Sequence, residues 1–148
     1  MERMSLEERL DELQAKEEIR ACLHNYVHAV DKRDEELFMD LWEEDAVLSL
    51  GQFGESRGHT EIRQNLHQIW TNTPKTYHLS VNAVITVNGD WAEAISNSYA
   101  TSYDAEGRVL LAFATYRDKL SRRTGKWRFV ERRLSLAFFA PVKELYQL

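Results

Sequence analysis

Apolar residues recur every three to four positions in the first half of the chain and every two in the second half. From residue 5 to 31 the apolar positions are Leu6, Leu10 and Leu13, then Ile19, Leu23, Tyr26, Val27 and Val30, the spacing of one helix face. The phase slips between Leu13 and Ile19, so the segment is either one long helix with a polar gap or a helix after a looser turn. Ser5 followed by Glu8 fits a capping box at its start. Asp34 is placed to cap a second helix carrying Leu37, Phe38, Leu41 and Trp42, ending near Glu44 and Asp45. A short strand is expected over 46–50, among turns at Gly51, Gly54 and Gly58. Thr60 is placed to cap a third helix with Ile62, Leu66, Ile69 and Trp70 on one face, stopped by Asn72 to Pro74.

The period then changes to two. Residues 77–87 read as a strand, and Asn88-Gly89-Asp90 is a strong hairpin signal. Over 91–103, Trp91, Glu93, Ile95, Asn97, Tyr99, Thr101 and Tyr103 alternate with small residues, which therefore line one face. Asp104 to Gly107 turns into a strand over 108–120, Thr124-Gly125 turns into another over 126–139, and Pro141 ends the sheet. Long strands coil strongly, so such a sheet wraps around the preceding helices and leaves an apolar pocket between the two layers. The expected fold is α+β, one domain over residues 1–148.

Composition narrows the partners. The chain has 148 residues and is 43% hydrophobic, enough for one core. A net charge of -5 argues against nucleic acid, which demands a basic surface; the run Arg122, Arg123, Lys126 and Arg128 reads better as a solvated hairpin. The single cysteine, Cys22, cannot form an intrachain disulfide, fits a reducing compartment and reads as a buried, inert thiol. The first twenty residues are acidic and helical, without the apolar stretch of a signal peptide, and no segment suits a bilayer span. A cytoplasmic protein without membrane or nucleic-acid partners is the expectation.

Among titratable residues, His78 has the side chain whose ordinary pKa lies near neutrality. On pattern alone it reads first as a buried histidine satisfied by a backbone carbonyl. Asp31, at the end of the first helix, reads either as a pocket carboxylate or as a partner of Lys32 or Arg33. His24 and His28 have the i, i+4 spacing of metal ligands, but no third ligand accompanies them. His59 and His67 read as a turn residue and a helix-surface residue.

The ordered set of local patterns resembles the SnoaL-like proteins of the nuclear transport factor 2 (NTF2)-like superfamily. Residues 26–34 (YVHAVDKRD) with 41–46 (LWEEDA) resemble that group's first helix pair. Residues 58–63 (GHTEIR) resemble its third-helix entry, 77–82 (YHLSVN) its histidine strand, and 125–129 (GKWRF) followed by Arg132 its last strand. The resemblance spans nearly the whole chain. It implies an NTF2-like, cystatin-like cone: three N-terminal helices packed in a strongly curved mixed or antiparallel sheet. Within the superfamily the pattern is similar to the lindane dehydrochlorinases, bile acid 7α-dehydratases and scytalone dehydratases. In those enzymes an aspartate ending the first long helix orients a histidine on the sheet, and Asp31 and His78 match these positions. Tyr26 matches a tyrosine of the bile acid dehydratases; where those carry a further aspartate this chain has Thr101. Arg132 matches an arginine of the dehydrochlorinases, with Arg133 as its neighbour on the opposite face.

The implied chemistry is cofactor-independent proton abstraction. His78 is the base, Asp31 fixes its tautomer, Tyr26 holds an oxygen, and Arg132 steadies an anion or polar end. Loss of a proton beside a leaving group gives elimination; loss beside a carbonyl gives isomerisation or cyclisation. The expected substrate is a small hydrophobic molecule, cyclic ones included, in a pocket walled by Trp42, Trp70, Tyr99, Thr101 and Phe113. The same superfamily contains non-catalytic binding and assembly subunits, such as the β subunit of ring-hydroxylating dioxygenases, so fold alone does not decide function. Pairing through the open sheet face, as a homodimer or homotrimer, is also implied.

Overall fold

The computed structural model describes residues 4–143. Helix α1 runs unbroken from Leu6 to Lys32, so the phase slip is a polar gap in one helix. Ser5 and Glu8 form the reciprocal capping box at its start. Its buried face is Ala15, Ile19, Cys22, Leu23, Tyr26, Val27, Ala29 and Val30. Leu6, Leu10 and Leu13 keep helical spacing but are exposed, while Asp11 in the same stretch bonds Arg122 at 3.3 Å.

α1 ends in a left-handed turn at Arg33 (φ 57°), whose backbone N–H reaches Ala29 and Val30 carbonyls. A non-glycine residue there costs about 1 kcal/mol. The Arg33 side chain offsets this by donating to the carbonyls of Trp70 and Pro74 at 2.9 and 3.1 Å, which ties the end of α1 to the end of the third helix.

Asp34 caps α2 by accepting from Leu37 N–H, but α2 spans only Glu35–Asp40, shorter than expected. The chain extends at once into β1, Trp42–Ser49, because Trp42 already pairs with Phe129 of the last strand. A 3-10 turn, Gly51–Phe53, and a short strand β2, Glu55–Arg57, follow; the sequence pattern gave no sign of β2. Helix α3, Gly58–Asn72, starts two residues before Thr60, with Glu61 accepting from Arg57 N–H at 2.7 Å.

The four long strands are β3 Lys75–Asn88, β4 Trp91–Tyr103, β5 Val109–Ser121 and β6 Arg128–Val142. Sheet order is β2-β1-β6-β5-β4-β3, with β1 parallel to β6 and every other pair antiparallel. Pro141 does not end the sheet. It pairs with Leu110 beyond Arg133, where β1 stops pairing and β6 becomes an edge.

Bulges set the curvature and reset which residues face inward. One sits at Val81/Val84 of β3, with Asn82 left-handed at φ 57°; His78 faces the helices before it, Ile85 after it. Another lies opposite Lys119/Leu120, bringing both Phe129 and Arg132 inside at 0% exposure. The concave face packs on α1 and α3 through Tyr26, Phe38, Trp42, Ile62, Leu66, Tyr116 and Phe129.

Candidate active site

Asp31 lies in the last turn of α1, and α1 crosses the sheet against β3. Its carboxylate Oδ1 accepts from the Thr76 hydroxyl at 2.8 Å and lies 2.6 Å from His78 Nδ1, while Oδ2 accepts from the His78 backbone N–H at 2.8 Å. A carboxylate only accepts, so Nδ1 carries a proton, and in the neutral ring Nε2 is then the nitrogen with the free lone pair. The side chains are 17% and 15% exposed for His78 and Asp31, sheltered but reachable. Neither Lys32 nor Arg33 engages Asp31.

Strand register shows what lies beside the imidazole. His78 pairs with Ala100, which pairs with Ala112; Ser80 pairs with Ser98, which pairs with Ala114. These small side chains floor the concave face beside the imidazole. Farther along, Ser96 is opposite Tyr116 and Ala94 opposite Asp118.

Tyr26 and Arg132 form a second grouping on the same concave face. The guanidinium lies 4.2 Å from the Tyr26 ring centre, 3.8 Å from Tyr116 and 4.7 Å from Phe129. Burial pushes the Tyr26 and Tyr116 hydroxyls above their ordinary pKa, so both stay protonated. Tyr26 and Asp31 are five residues apart on α1, a rise of about 7.5 Å, which links the two groupings. Arg133 is half exposed and bonds Glu131 and Glu55; Arg132 is therefore the interior arginine.

The expected walls divide. Trp42 is buried against Tyr26, Phe38 and Phe129. Trp70 is half-buried at the end of α3 and donates Nε1–H to Val30 O at 2.9 Å, one residue from Asp31. Tyr99, Thr101 and Phe113 lie on the opposite, convex face: Tyr99 pairs with Leu79 and Phe113, and Thr101 with Tyr77 and Leu111. Strict alternation sends them away from His78, so they do not wall the concave space.

Thr76 and Asp118 were missed from sequence. Thr76 stands two residues before His78 and so shares its face; Asp118 is a charged residue in phase with Ala112, Ala114 and Tyr116. Both signals were present in the period-two pattern.

Other expected residues fall outside the site. His24 and His28 are exposed on α1, and among the described residues no group of three His, Cys, Asp or Glu side chains could hold a metal. Arg122, Arg123, Lys126 and Arg128 are each paired with acids, Asp11 and Asp90, Glu43 and Asp45, and Asp40, so this run is not a free basic patch. A groove of about 800 Å³ between Phe53–Ser56 and α3 contains no dyad residue. No helix among the described residues is long and apolar enough to cross a membrane.

Residues 11–133 match the SnoaL-like domain. The chain is 25% identical over 142 residues to gamma-hexachlorocyclohexane dehydrochlorinase of Sphingobium indicum, covering 93% of this chain and 90% of that protein. Its fold superposes on hexachlorocyclohexane dehydrochlorinase LinA-type3 of Novosphingobium barchaimii with a TM-score of 0.88 at 22% identity, over 95% of this chain and 98% of that one. An NTF2-like protein with a cystatin-like fold from Novosphingobium aromaticivorans gives a TM-score of 0.74 at 27% identity, over 87% and 86%. With its three helices set in a curved six-stranded mixed sheet, the chain belongs to the SnoaL-like family of the NTF2-like superfamily.

Proposed function

We propose that this chain is a cofactor-independent lyase or isomerase acting on a small hydrophobic substrate, cyclic ones included. His78 Nε2 takes a proton from carbon, and Asp31 holds the ring and stabilises the imidazolium that forms. Tyr26 donates to a leaving or carbonyl oxygen, and Arg132 supports developing negative charge. Side chains supply every step, so the chemistry calls for no metal or organic cofactor. The observation that carries this reading is the 2.6 Å Asp31–His78 contact beside a floor of alanine and serine. A non-catalytic binding subunit has no need for a carboxylate that fixes both the ring and the backbone of one histidine. The relatives' dehydrochlorinase activity supports elimination. The reading includes a cytoplasmic homodimer or homotrimer paired through the convex face.

The test is a panel of cyclic chlorides, γ-hexachlorocyclohexane among them, and cyclic β-hydroxy ketones, followed by chloride release and alkene absorbance. Turnover is expected, with His78→Ala lowering it roughly a hundred- to ten-thousandfold at unchanged circular dichroism. A His78→Ala rate equal to that of the native chain sinks the mechanism.

A further inference from the structure

Among the described residues, the two non-glycine residues with a left-handed backbone are Arg33 and Asn82, each at φ 57°. Both flank the dyad: Arg33 follows Asp31 by two residues, and Asn82 follows His78 by four. Asparagine visits this region with its short polar side chain bonding locally, an option that arginine lacks. A helix end needs no more than glycine at such a position. Strain held at one residue persists where the surroundings make use of it, and at Arg33 the use lies in the side chain.

That side chain is exposed, yet its Nη2 donates to two carbonyls at once, Trp70 O at 2.9 Å and Pro74 O at 3.1 Å. Trp70 O belongs to the last turn of α3, where carbonyls have no partner within the helix. Pro74 O is the last carbonyl before β3, which begins at Lys75. A second contact runs the other way, from the Trp70 indole N–H to Val30 O at 2.9 Å. On α1 the residues making these contacts, Val30 and Arg33, bracket Asp31. On the far side Pro74 leads within four residues through Thr76 to His78, the two residues that Asp31 holds. The carboxylate and its donors therefore sit on two segments whose relative position a guanidinium and an indole set.

We propose that Arg33 is a positioning residue for the dyad, clamping the end of α1 to the 70–74 turn so that the Asp31 carboxylate meets the His78 ring. Its effect on rate rests on the catalytic reading; its effect on the Asp31–His78 hydrogen bond does not.

Arg33→Gly is the informative change. Glycine adopts the left-handed turn freely and removes only the clamp. Three measurements are made on the whole chain: the urea midpoint, the His78 Nδ1–H resonance in nitrogen-15-labelled protein, and steady-state turnover. Arg33→Gly is expected to unfold at the native urea concentration or above it. Its Nδ1–H resonance is expected to move upfield and exchange with water faster than in the native chain. Its kcat is expected to fall roughly ten- to hundredfold with KM nearly unchanged, the mark of an interaction realised in the transition state. Arg33→Lys, a point charge in place of a planar fork, is expected to fall between the two and carries the comparison should Arg33→Gly not fold. A role confined to ending the helix would leave the resonance and kcat at native values. A resonance in the variant identical to the native one overturns the proposal, whatever the rate does. His78→Ala turnover, run in parallel, separates the two readings. An unmoved resonance beside His78-dependent turnover sinks the clamp alone, and a resonance that responds beside His78-independent turnover sinks the catalytic reading alone.

Discussion

Asp31 grips His78 twice, accepting from its backbone N–H at Oδ2 and from its ring Nδ1 at Oδ1. The backbone contact fixes where the strand runs, and the ring contact fixes which nitrogen is bare. Asparagine has one acceptor oxygen and cannot serve both donors. Asp31→Asn is therefore expected to lower turnover roughly a hundred- to ten-thousandfold while keeping the helical and strand content. It also loses about 1.5–3 kcal/mol from a hydrogen bond to a charged group. Steady-state rates and chemical denaturation on the same preparation check both; an unaltered rate removes Asp31 from the mechanism.

Thr76 holds the second lone pair of Oδ1 at 2.8 Å. Thr76→Val keeps the side-chain shape and removes the hydroxyl. A loss of about 1–2 kcal/mol of orientation corresponds to roughly a five- to thirtyfold lower rate. Turnover equal to the native value would reduce Thr76 to a strand residue.

The dyad was legible before the fold because its two members lie at places periodicity marks well: the end of a long helix and the inward phase of a strand. The convex-face errors have the same origin. Thr101, with Tyr99 beside it, stands where the resemblance puts a further aspartate and Phe113 is an aromatic of the next strand, whereas parity with His78 through Ala100 and Ala112 puts all three outside. Bulges hid the rest, since Phe129 and Arg132 differ in parity along the chain yet both point inward. Helix α2 is shorter than its pattern predicts because Leu41 and Trp42 suit a helix face as well as a buried strand, and only the parallel pairing with β6 decides between them.

Tyr99, Phe113 and Phe138 stack across the convex face with ring centres 4.9 and 6.3 Å apart. Tyr77, Leu79, Val81, Val84 and Ile95 extend the exposed apolar surface, an extent that marks association. A homodimer or homotrimer is expected in sedimentation equilibrium. Val84→Glu with Phe138→Glu is expected to shift it to monomer without loss of secondary structure. A native chain that sediments as a monomer at every concentration refutes this.

Cys22 Sγ sits 3.2 Å from the Trp127 carbonyl, and burial pushes its thiol up to about 11. The thiolate is the reactive form. Native protein near pH 8 is therefore expected to react with iodoacetamide far more slowly than the unfolded chain, with the labelling rate rising in step with denaturant. Rapid alkylation of the folded protein would show that the contact between α1 and Trp127 opens.

The Asp118–Arg132 pair makes stability depend on pH in a direction opposite to that of the surface carboxylates. Burial raises Asp118 from an ordinary value of 3.8 to about 6, with Arg132 partly offsetting the rise. The folded state then holds that proton more tightly than the unfolded chain. Its contribution is full below about pH 3.8 and is lost as pH rises through about 6, a change of about 3 kcal/mol. Glu131 and Asp40 behave oppositely, because hydrogen bonds from Arg133 and Lys126 respectively lower them. Comparing the native chain with the double variant Asp118→Leu, Arg132→Met cancels those surface terms. An apolar replacement of a buried pair is often neutral or stabilising, whereas removing one partner costs about 3–5 kcal/mol. The double variant is expected to match or exceed native stability at pH 7, and Arg132→Met alone to fall well below it. Acidification to pH 4 should then shrink the double variant's advantage as native Asp118 takes up its proton. Urea denaturation of the three proteins at both pH values measures this, and an advantage that grows on acidification would show that Asp118 is held ionised rather than protonated by its surroundings.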